Sequence, residues 1–172
     1  MSARMSRRVR ARFAPLPRQL EEFHAKRRSE VYPLVPRYAD LRDRLLSIGG
    51  LEVVFPRVHV NEEEAVQRQH RDVEIVLERG ETVPGDYAHL EALEANRCHH
   101  NVATLHEQGR GAIGMGWSLG TDGLWREHSW IFGPDSREGI TEIIETTAVP
   151  VLYHGARLNA DETARFVSAE LD

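Results

Sequence analysis

The sequence predicts an α+β fold in which N-terminal helices precede an antiparallel sheet of three to five strands. The first half of the 172-residue chain shows helical spacing of apolar residues and helix-capping residues. The second half shows strand patterns and the hairpin signal Thr-Asp-Gly-Leu. Because a chain of this length suits one compact domain, we expect one α+β domain over residues 16–172, preceded by a basic, loose tail over residues 1–15.

Four elements are expected before residue 81. They are helices over residues 17–30 and 38–48, a strand over residues 51–60 and a charged helix from Asn61 to near Gly80. A proline begins the first helix, and Gly49-Gly50 ends the second. Pro56 confines the strand to an edge or a bend, because proline cannot donate to a strand ladder. Asn61 with Glu64 three residues later resembles a capping box and predicts the start of the fourth element.

Residues 86–109 follow a Pro-Gly turn and show helical spacing in two phases. One apolar stripe contains Tyr87, Leu90 and Leu93, and the other contains Cys98, Val102 and Leu105. The first stripe, continued at helical spacing, reaches Arg97 instead of Cys98, so the phase slips. Asn96 at the slip is a good N-cap residue, and we therefore predict two helices divided there. The second helix would hold Cys98 in its first turn, where unpaired N–H groups favour a reactive thiolate.

Strands are predicted after Gly109. They cover residues 112–119, 124–132, 139–147 and 149–155, and a short helix from Asn159 ends the chain. If Asp122 and Gly123 alone form the first hairpin turn, Trp117 lies opposite His128. The next register places His128 opposite Ile144 or, with a one-residue bulge, opposite Glu145. The face is largely apolar, and a carboxylate partner would explain a histidine there.

The chain order Cys98, His128, Glu145 resembles the core of the papain and transglutaminase-like cysteine hydrolases. In that core a thiol opens a helix, and a histidine and a carboxylate lie on neighbouring antiparallel strands. The segment CHHNV is similar to the Cys-x-x-Asn-Val segment of the protein N-terminal glutamine amidohydrolases. The resemblance covers about residues 95–147. The chain departs from that family in two ways, by having His-His after the cysteine and Glu where the family carries Asp. The resemblance implies a protein or peptide substrate that carries a glutamine-like amide.

A Cys-His-carboxylate set cleaves amide C–N bonds through a thioester acyl-enzyme and needs no cofactor. We assign Cys98 as nucleophile, His128 as acid and base, and Glu145 as the group that orients the histidine. Glu142 and Asp135 remain alternatives for the last role. The expected function is a thiol-dependent hydrolase, that is an amidohydrolase, a deamidase or a small peptidase, with acyl transfer to an amine as a variant.

Other side chains are candidates for binding the substrate. Backbone N–H groups at the start of the Cys98 helix would stabilise the oxyanion, with the Asn96 side chain or the Trp117 indole as further donors. Asn101 shares roughly one side of the helix with Cys98, so it either touches the substrate or makes a structural hydrogen bond.

A metal site is an alternative interpretation of Cys98, His99, His100 and His106. Adjacent histidines point about 100° apart on a helix, and the chain has one cysteine, so the spacing does not favour zinc and no metal is expected. A second alternative is a non-catalytic protein-binding module that uses the acidic body or the basic tail.

Composition limits the location and the partners. The net charge of −5 argues against a dedicated nucleic-acid binder. The single cysteine cannot form an internal disulfide, and the chain has neither a secretory signal pattern nor an apolar run of about 20 residues. We therefore expect a cytoplasmic protein without a membrane partner.

Overall fold

The computed structural model describes residues 13–57, 62–134 and 142–171. The helices are α1 (Arg18–Val31), α2 (Tyr38–Ile48), α3 (Glu63–Arg79), α4 (Cys98–Glu107) and α5 (Ala160–Leu171). The strands are β1 (Glu52–Val54), β2 (Glu81–Pro84), β3 (Ala88–Leu90), β4 (Ala112–Leu119), β5 (Leu124–Phe132), β6 (Ile143–Glu145) and β7 (Leu152–Arg157). Most of the predicted tail, the end of the predicted strand with Asn61, and Asp135 lie outside the described residues. The α+β class is confirmed.

The sheet is mixed and larger than predicted. Within the described ranges it has seven strands, six of them in the order β2-β7-β4-β5-β6-β3, with β1 beside β5. The ladder from β2 to β6 is antiparallel, as expected. The expectation of an entirely antiparallel sheet was wrong, because β1 pairs with β5 and β3 pairs with β6 in parallel.

The sheet curls towards a barrel. Its two outer strands, β2 and β3, are joined by a single turn of 3₁₀ helix over Gly85–Tyr87, so the chain itself brings the two ends of the ladder together. This close approach requires glycine, since a Cβ at Gly85 would lie 1.9 Å from the carbonyl oxygen of Pro150. The sheet therefore has an inner and an outer face.

Each face has its own apolar core. The outer face carries Ile113, Met115 and Trp117 and packs against helices, including α3 and α4. The inner face carries Trp130, Ile143 and Tyr153, which are 0–1% exposed. Burial of such large rings provides much of the hydrophobic stabilisation of a small domain. Two cores on opposite faces fix which side of each strand is available for a site.

The first hairpin differs from its predicted register. Gly120 N–H bonds to the Leu124 carbonyl at 3.0 Å, and Gly123, at φ 82°, closes a loop of three residues, not two. His128 consequently lies opposite Gly116, and Trp117 lies opposite Glu127. A shift of one residue moves a side chain to the other face, so the predicted pairing of Trp117 with His128 was wrong.

The prediction of the first of two helices over residues 86–109 was also wrong. The stripe residues Tyr87, Leu90 and Leu93 are 44–54% exposed and belong to the 3₁₀ turn, to β3 and to the segment after it. Pairing with β6 satisfies the backbone hydrogen-bonding groups of residues 88–90. The helical spacing of the apolar residues carries no information about this pairing. The division near Asn96 is confirmed, since α4 begins at Cys98. Asn96 is not its N-cap, a position that Arg97 occupies without a side-chain cap.

Candidate active site

The first turn of α4 lies in a gap beside the central strand β5. On one side of β5, β1 pairs with Leu124–Arg126 and β6 pairs with Ile131–Phe132. Between these two pairings, α4 contacts β5 instead, and its first two side chains reach consecutive strand residues. The Cys98 side chain lies close enough to His128 to raise the pKa of that imidazole, and His99 shares a 2.9 Å hydrogen bond with Ser129. Strand alternation thus directs the thiol and the neighbouring histidine to opposite faces of the sheet.

His128 contacts the predicted carboxylate on the inner face. Its Nε2 and Oε2 of Glu145 are 2.8 Å apart, and the glutamate is 0% exposed. The pairing of Ile131 with Ile144 shows that Glu145 is one step beyond the ladder and diagonal to His128, not opposite it. Because Nε2 binds the carboxylate, Nδ1 is the ring nitrogen left for the Cys98 thiol.

Glu145 is held as a carboxylate by hydrogen bonds to both of its oxygens. The backbone N–H groups of Thr146 and Thr147 each donate to Oε1 at 2.9 Å, and the Thr147 hydroxyl donates at 3.0 Å. The Tyr153 hydroxyl donates to Oε2 at 2.9 Å. Burial raises the pKa of Glu145, but the donors led by His128 outweigh burial and hold the pKa below its ordinary value.

His128 is a strong base in this setting. Burial lowers its pKa, but the hydrogen bonds and negative charges of Cys98 and Glu145 outweigh burial and raise it to about 9. The rings of Trp130 and Tyr153 lie nearly parallel to the imidazole, with centroids 6.4 and 6.3 Å away. At neutral pH the imidazole is therefore a cation between a thiol and a buried carboxylate, with its ring plane restricted by aromatic packing.

Cys98 is the first residue of α4 and is partly exposed. The first N–H groups of a helix have no intrahelical partner and point towards such a side chain. The guanidinium of the preceding Arg97 donates to Glu94 at 3.0 Å, so it is engaged by a carboxylate. The thiol is therefore accessible from solvent at one side and faces His128 at the other.

The other predicted substrate-binding residues take different positions. Asn101 is 4% exposed, and its Nδ2 donates to the Glu94 carbonyl at 2.8 Å, which makes it a structural residue that ties the preceding loop to α4. Asn96 is exposed, in the left-handed region at φ 60°. Trp117 is 1% exposed and points to the outer face, away from His128, so its predicted role in the site was wrong.

The alternative carboxylate partner of His128 and the histidines considered as metal ligands lie apart from the thiol site or bond to other groups. Glu142 lies 3.8 Å from the ring of His89, whereas Glu145 occupies the position beside His128. His100 and His106 bond to the carbonyls of Glu170 and Gly111 respectively. Within the described ranges no three His, Cys, Asp or Glu side chains come together as a metal site.

Sequence reasoning missed Tyr153 and both threonines as partners of the carboxylate. The run Glu-Thr-Thr at residues 145–147 supplies three donors to Oε1, which are the backbone N–H groups of Thr146 and Thr147 and the Thr147 hydroxyl. Tyr153 had no local signal, because it reaches Glu145 across the curled sheet from β7.

A cavity of about 270 Å³ lies on the outer face, beside His99. Its lining includes Gln69, Asp72, Glu127, Phe166 and Glu170. Burial lowers the pKa of His99 to about 4, and burial with the charge of Glu127 raises the pKa of Asp72 to about 7. The lining does not include Cys98 or His128, so this cavity is separate from the thiol site.

No family model matches the chain, and neither does any curated protein or solved structure. None of the described helices combines the length and hydrophobicity that a bilayer span requires. The geometry on the inner face is compatible with nucleophilic chemistry, since a thiol lies beside an imidazole that is hydrogen-bonded to a buried carboxylate.

Proposed function

We propose that the protein is a thiol-dependent hydrolase that cleaves an amide C–N bond. The observation that carries the proposal is the position of His128, which lies beside Cys98 and has its Nε2 2.8 Å from Oε2 of the fully buried Glu145. Cys98 is the nucleophile, His128 the acid and base, and Glu145 the group that holds the imidazole in place. The start of α4 against the strands of the sheet is the arrangement expected of a catalytic cysteine.

In the first half of the reaction, the Cys98 thiolate attacks the amide carbon and forms a C–S bond. The imidazolium of His128 donates its proton to the leaving nitrogen, the C–N bond breaks, and an amine or ammonia departs. The product on the enzyme is a thioester. Glu145 stays ionised throughout, because its five donors favour the carboxylate.

In the second half, the neutral His128 accepts a proton from water, and the hydroxide equivalent attacks the thioester carbon. The C–S bond breaks, a carboxylic acid leaves, and the thiolate–imidazolium pair is restored. An amine in place of water would give acyl transfer by the same steps. In both halves the oxyanion is stabilised by the free backbone N–H groups at the start of α4, each such donor contributing about 3–4 kcal/mol.

We propose a protein or peptide with a glutamine-like amide as the substrate. The support is the resemblance of CHHNV at Cys98 to the protein N-terminal glutamine amidohydrolases and of the Cys-His-carboxylate order to the papain and transglutaminase-like hydrolases. We further propose the cytoplasm as its location, because a catalytic cysteine must stay reduced and the cytoplasm keeps thiols reduced.

The test is the alkylation of Cys98 by iodoacetamide as a function of pH. In the wild type we expect fast alkylation that is already maximal at neutral pH, whereas an ordinary thiol reaches its maximum only well above a pKa of about 8.5. His128→Ala should lose this behaviour. Alkylation of the wild type like that of a free thiol would contradict the proposal.

A second measurement separates catalysis from binding alone. Ammonia release from a panel of glutamine and asparagine amides should be abolished by Cys98→Ser, with binding of the same peptides retained. If the wild type binds peptides and releases no ammonia or amine from any of them, the chain is a binding module instead.

A further inference from the structure

An extended segment, Leu90–Glu94, connects β3 to the loop that carries Cys98, and we call it the edge segment. It continues the ladder beyond β3, since Glu91 N–H bonds to the Glu145 carbonyl at 2.8 Å and Leu93 N–H bonds to the Thr146 carbonyl at 2.9 Å. The backbone of the edge segment is therefore bonded directly to the proposed catalytic carboxylate residue. At its other end, Asn101 fixes the Glu94 carbonyl to α4.

The outer side of the edge segment is an open sheet edge. Successive residues of an extended strand direct their backbone groups to alternate sides. The N–H groups of Glu91 and Leu93 point towards β6. The N–H and C=O groups of Leu90 and Ala92 therefore point away from it. In the described part of the chain β3 is the last strand on this side, so no described strand pairs with these groups. Such an edge is a template for another extended chain.

Apolar side chains border this edge. Leu90 is 51% exposed and is in register with Glu145, so it lies on the inner face with the proposed catalytic residues. Leu93 is 44% exposed, and its N–H bonds to the Thr146 carbonyl, so its side chain borders the same edge. Large exposed aliphatic side chains next to unpaired backbone groups are typical of sites that receive a partner.

The charges around the edge segment are already paired. Glu91 accepts two hydrogen bonds from Arg110, at 3.0 and 2.7 Å, and Glu94 accepts one from Arg97 at 3.0 Å. The surface offered to a partner therefore consists of apolar side chains and backbone groups. The carboxylates of Glu91 and Glu94 are both paired with arginines. An uncharged, extended peptide matches it better than an anionic or cationic one.

We propose that the edge segment binds the substrate chain as an added strand, with apolar substrate side chains packed on Leu90 and Leu93. The proposal rests on the proposed function of Cys98 and specifies its substrate as an extended peptide with an apolar residue close to the scissile amide. Strand addition would fix the peptide backbone through Leu90 and Ala92, and the aliphatic contacts would select the side chain. The amide carbon would then be delivered to the thiol, since the segment leads directly to α4.

The test compares three reagents that alkylate Cys98 in the full chain. They are iodoacetamide, acetyl-Gly-Gly chloromethyl ketone and acetyl-Leu-Gly chloromethyl ketone. We expect the leucine probe to react about tenfold faster than the glycine probe, as partial burial of one leucine side chain implies. Leu90→Ser removes the aliphatic surface without adding a charge beside Glu145. It should reduce this ratio to about one, while iodoacetamide, which has no side chain to pack on Leu90, reacts as in the wild type. Phe23→Ser, at a 50% exposed residue of α1, is the matched control and should keep the ratio.

The outcomes separate the two proposals. If iodoacetamide labels Cys98 no faster than a free thiol, the hydrolase proposal fails. If iodoacetamide reacts fast but the leucine and glycine probes react equally, the hydrolase proposal stands and the edge segment does not bind the substrate. N-methylation of the leucine probe's backbone amides should slow its reaction at least severalfold, and an unchanged rate would overturn strand addition without any change to the protein.

Discussion

The Tyr153 hydroxyl donates a 2.9 Å hydrogen bond to Oε2 of Glu145, the oxygen that also binds His128. Tyr153 is 0% exposed, and burial, with the nearby carboxylate, raises its pKa, so the phenol stays a donor. The carboxylate therefore remains aligned with the imidazole even though it is diagonal to it on the sheet. This relationship leads to the first of five predictions.

Tyr153→Phe should lower the free energy of unfolding by about 2 kcal/mol, because it removes a hydrogen bond to a buried charged group. It should also raise the pKa of Glu145, which loses a donor, and reduce kcat. Urea unfolding and amide turnover measure these effects. Tyr87→Phe, at a 54% exposed tyrosine, is the control and should change neither quantity. Equal effects of the two variants would contradict the role of the Tyr153 hydroxyl.

Glu145→Gln should reduce kcat by roughly 10²–10⁴-fold, because the acid–base contribution of His128 is lost when its orienting carboxylate is removed. The amide keeps the shape of the carboxylate but removes the charge that raises the pKa of His128. Glu142→Gln is the matched control on the same stretch of chain and should retain turnover. Similar losses in both variants would mean that Glu145 has no special relation to His128.

Cys98→Ser should lower the pKa of His128 from about 9, because the sulfur contributes to raising it. The sign for stability follows from linkage. A histidine with a raised folded pKa adds stability that is complete below its ordinary value of 6.5 and is lost as pH rises through about 9. NMR titration of the His128 ring and unfolding curves between pH 6 and 10 measure both. An unchanged ring titration in Cys98→Ser would show that the two side chains do not interact.

Asp72→Asn should stabilise the protein at pH 8 and have little effect at pH 4. Burial and Glu127 raise the pKa of Asp72 from 3.8 to about 7, so its contribution to stability is complete below pH 4 and is lost as pH rises through about 7. Thermal unfolding at both pH values measures the difference. Asp86→Asn, at an exposed aspartate, is the control. A stabilisation that is the same at pH 4 and pH 8 would contradict the assignment.

Asn101→Ala should lower the free energy of unfolding by about 1–3 kcal/mol, because it leaves the Glu94 carbonyl without its side-chain donor. The loop before Cys98 should loosen, and alkylation by the leucine probe should slow more than alkylation by iodoacetamide. Asn96→Gly is the control, since glycine adopts φ 60° without strain. Equal slowing of the two reagents would argue against a role in positioning the edge segment.

Local patterns in the sequence were sufficient to predict several parts of the site. They placed Cys98 in the first turn of a helix and His128 within a strand, and they nominated Glu145 as its partner. Helix starts, strand alternation and turn residues depend on neighbours within a few positions, so the sequence reports them directly. The helices α1, α2 and α3 were predicted within a few residues for the same reason.

Only the tertiary structure decided the relations between strands. The three-residue loop that ends at Gly123 set the hairpin register and moved Trp117 to the outer face. Residues 88–90 became a strand because β6 lies beside them, although their spacing is helical. Tyr153 reached Glu145 because the sheet curls. Backbone pairing and curvature join residues that are far apart in sequence, and no local periodicity contains that information.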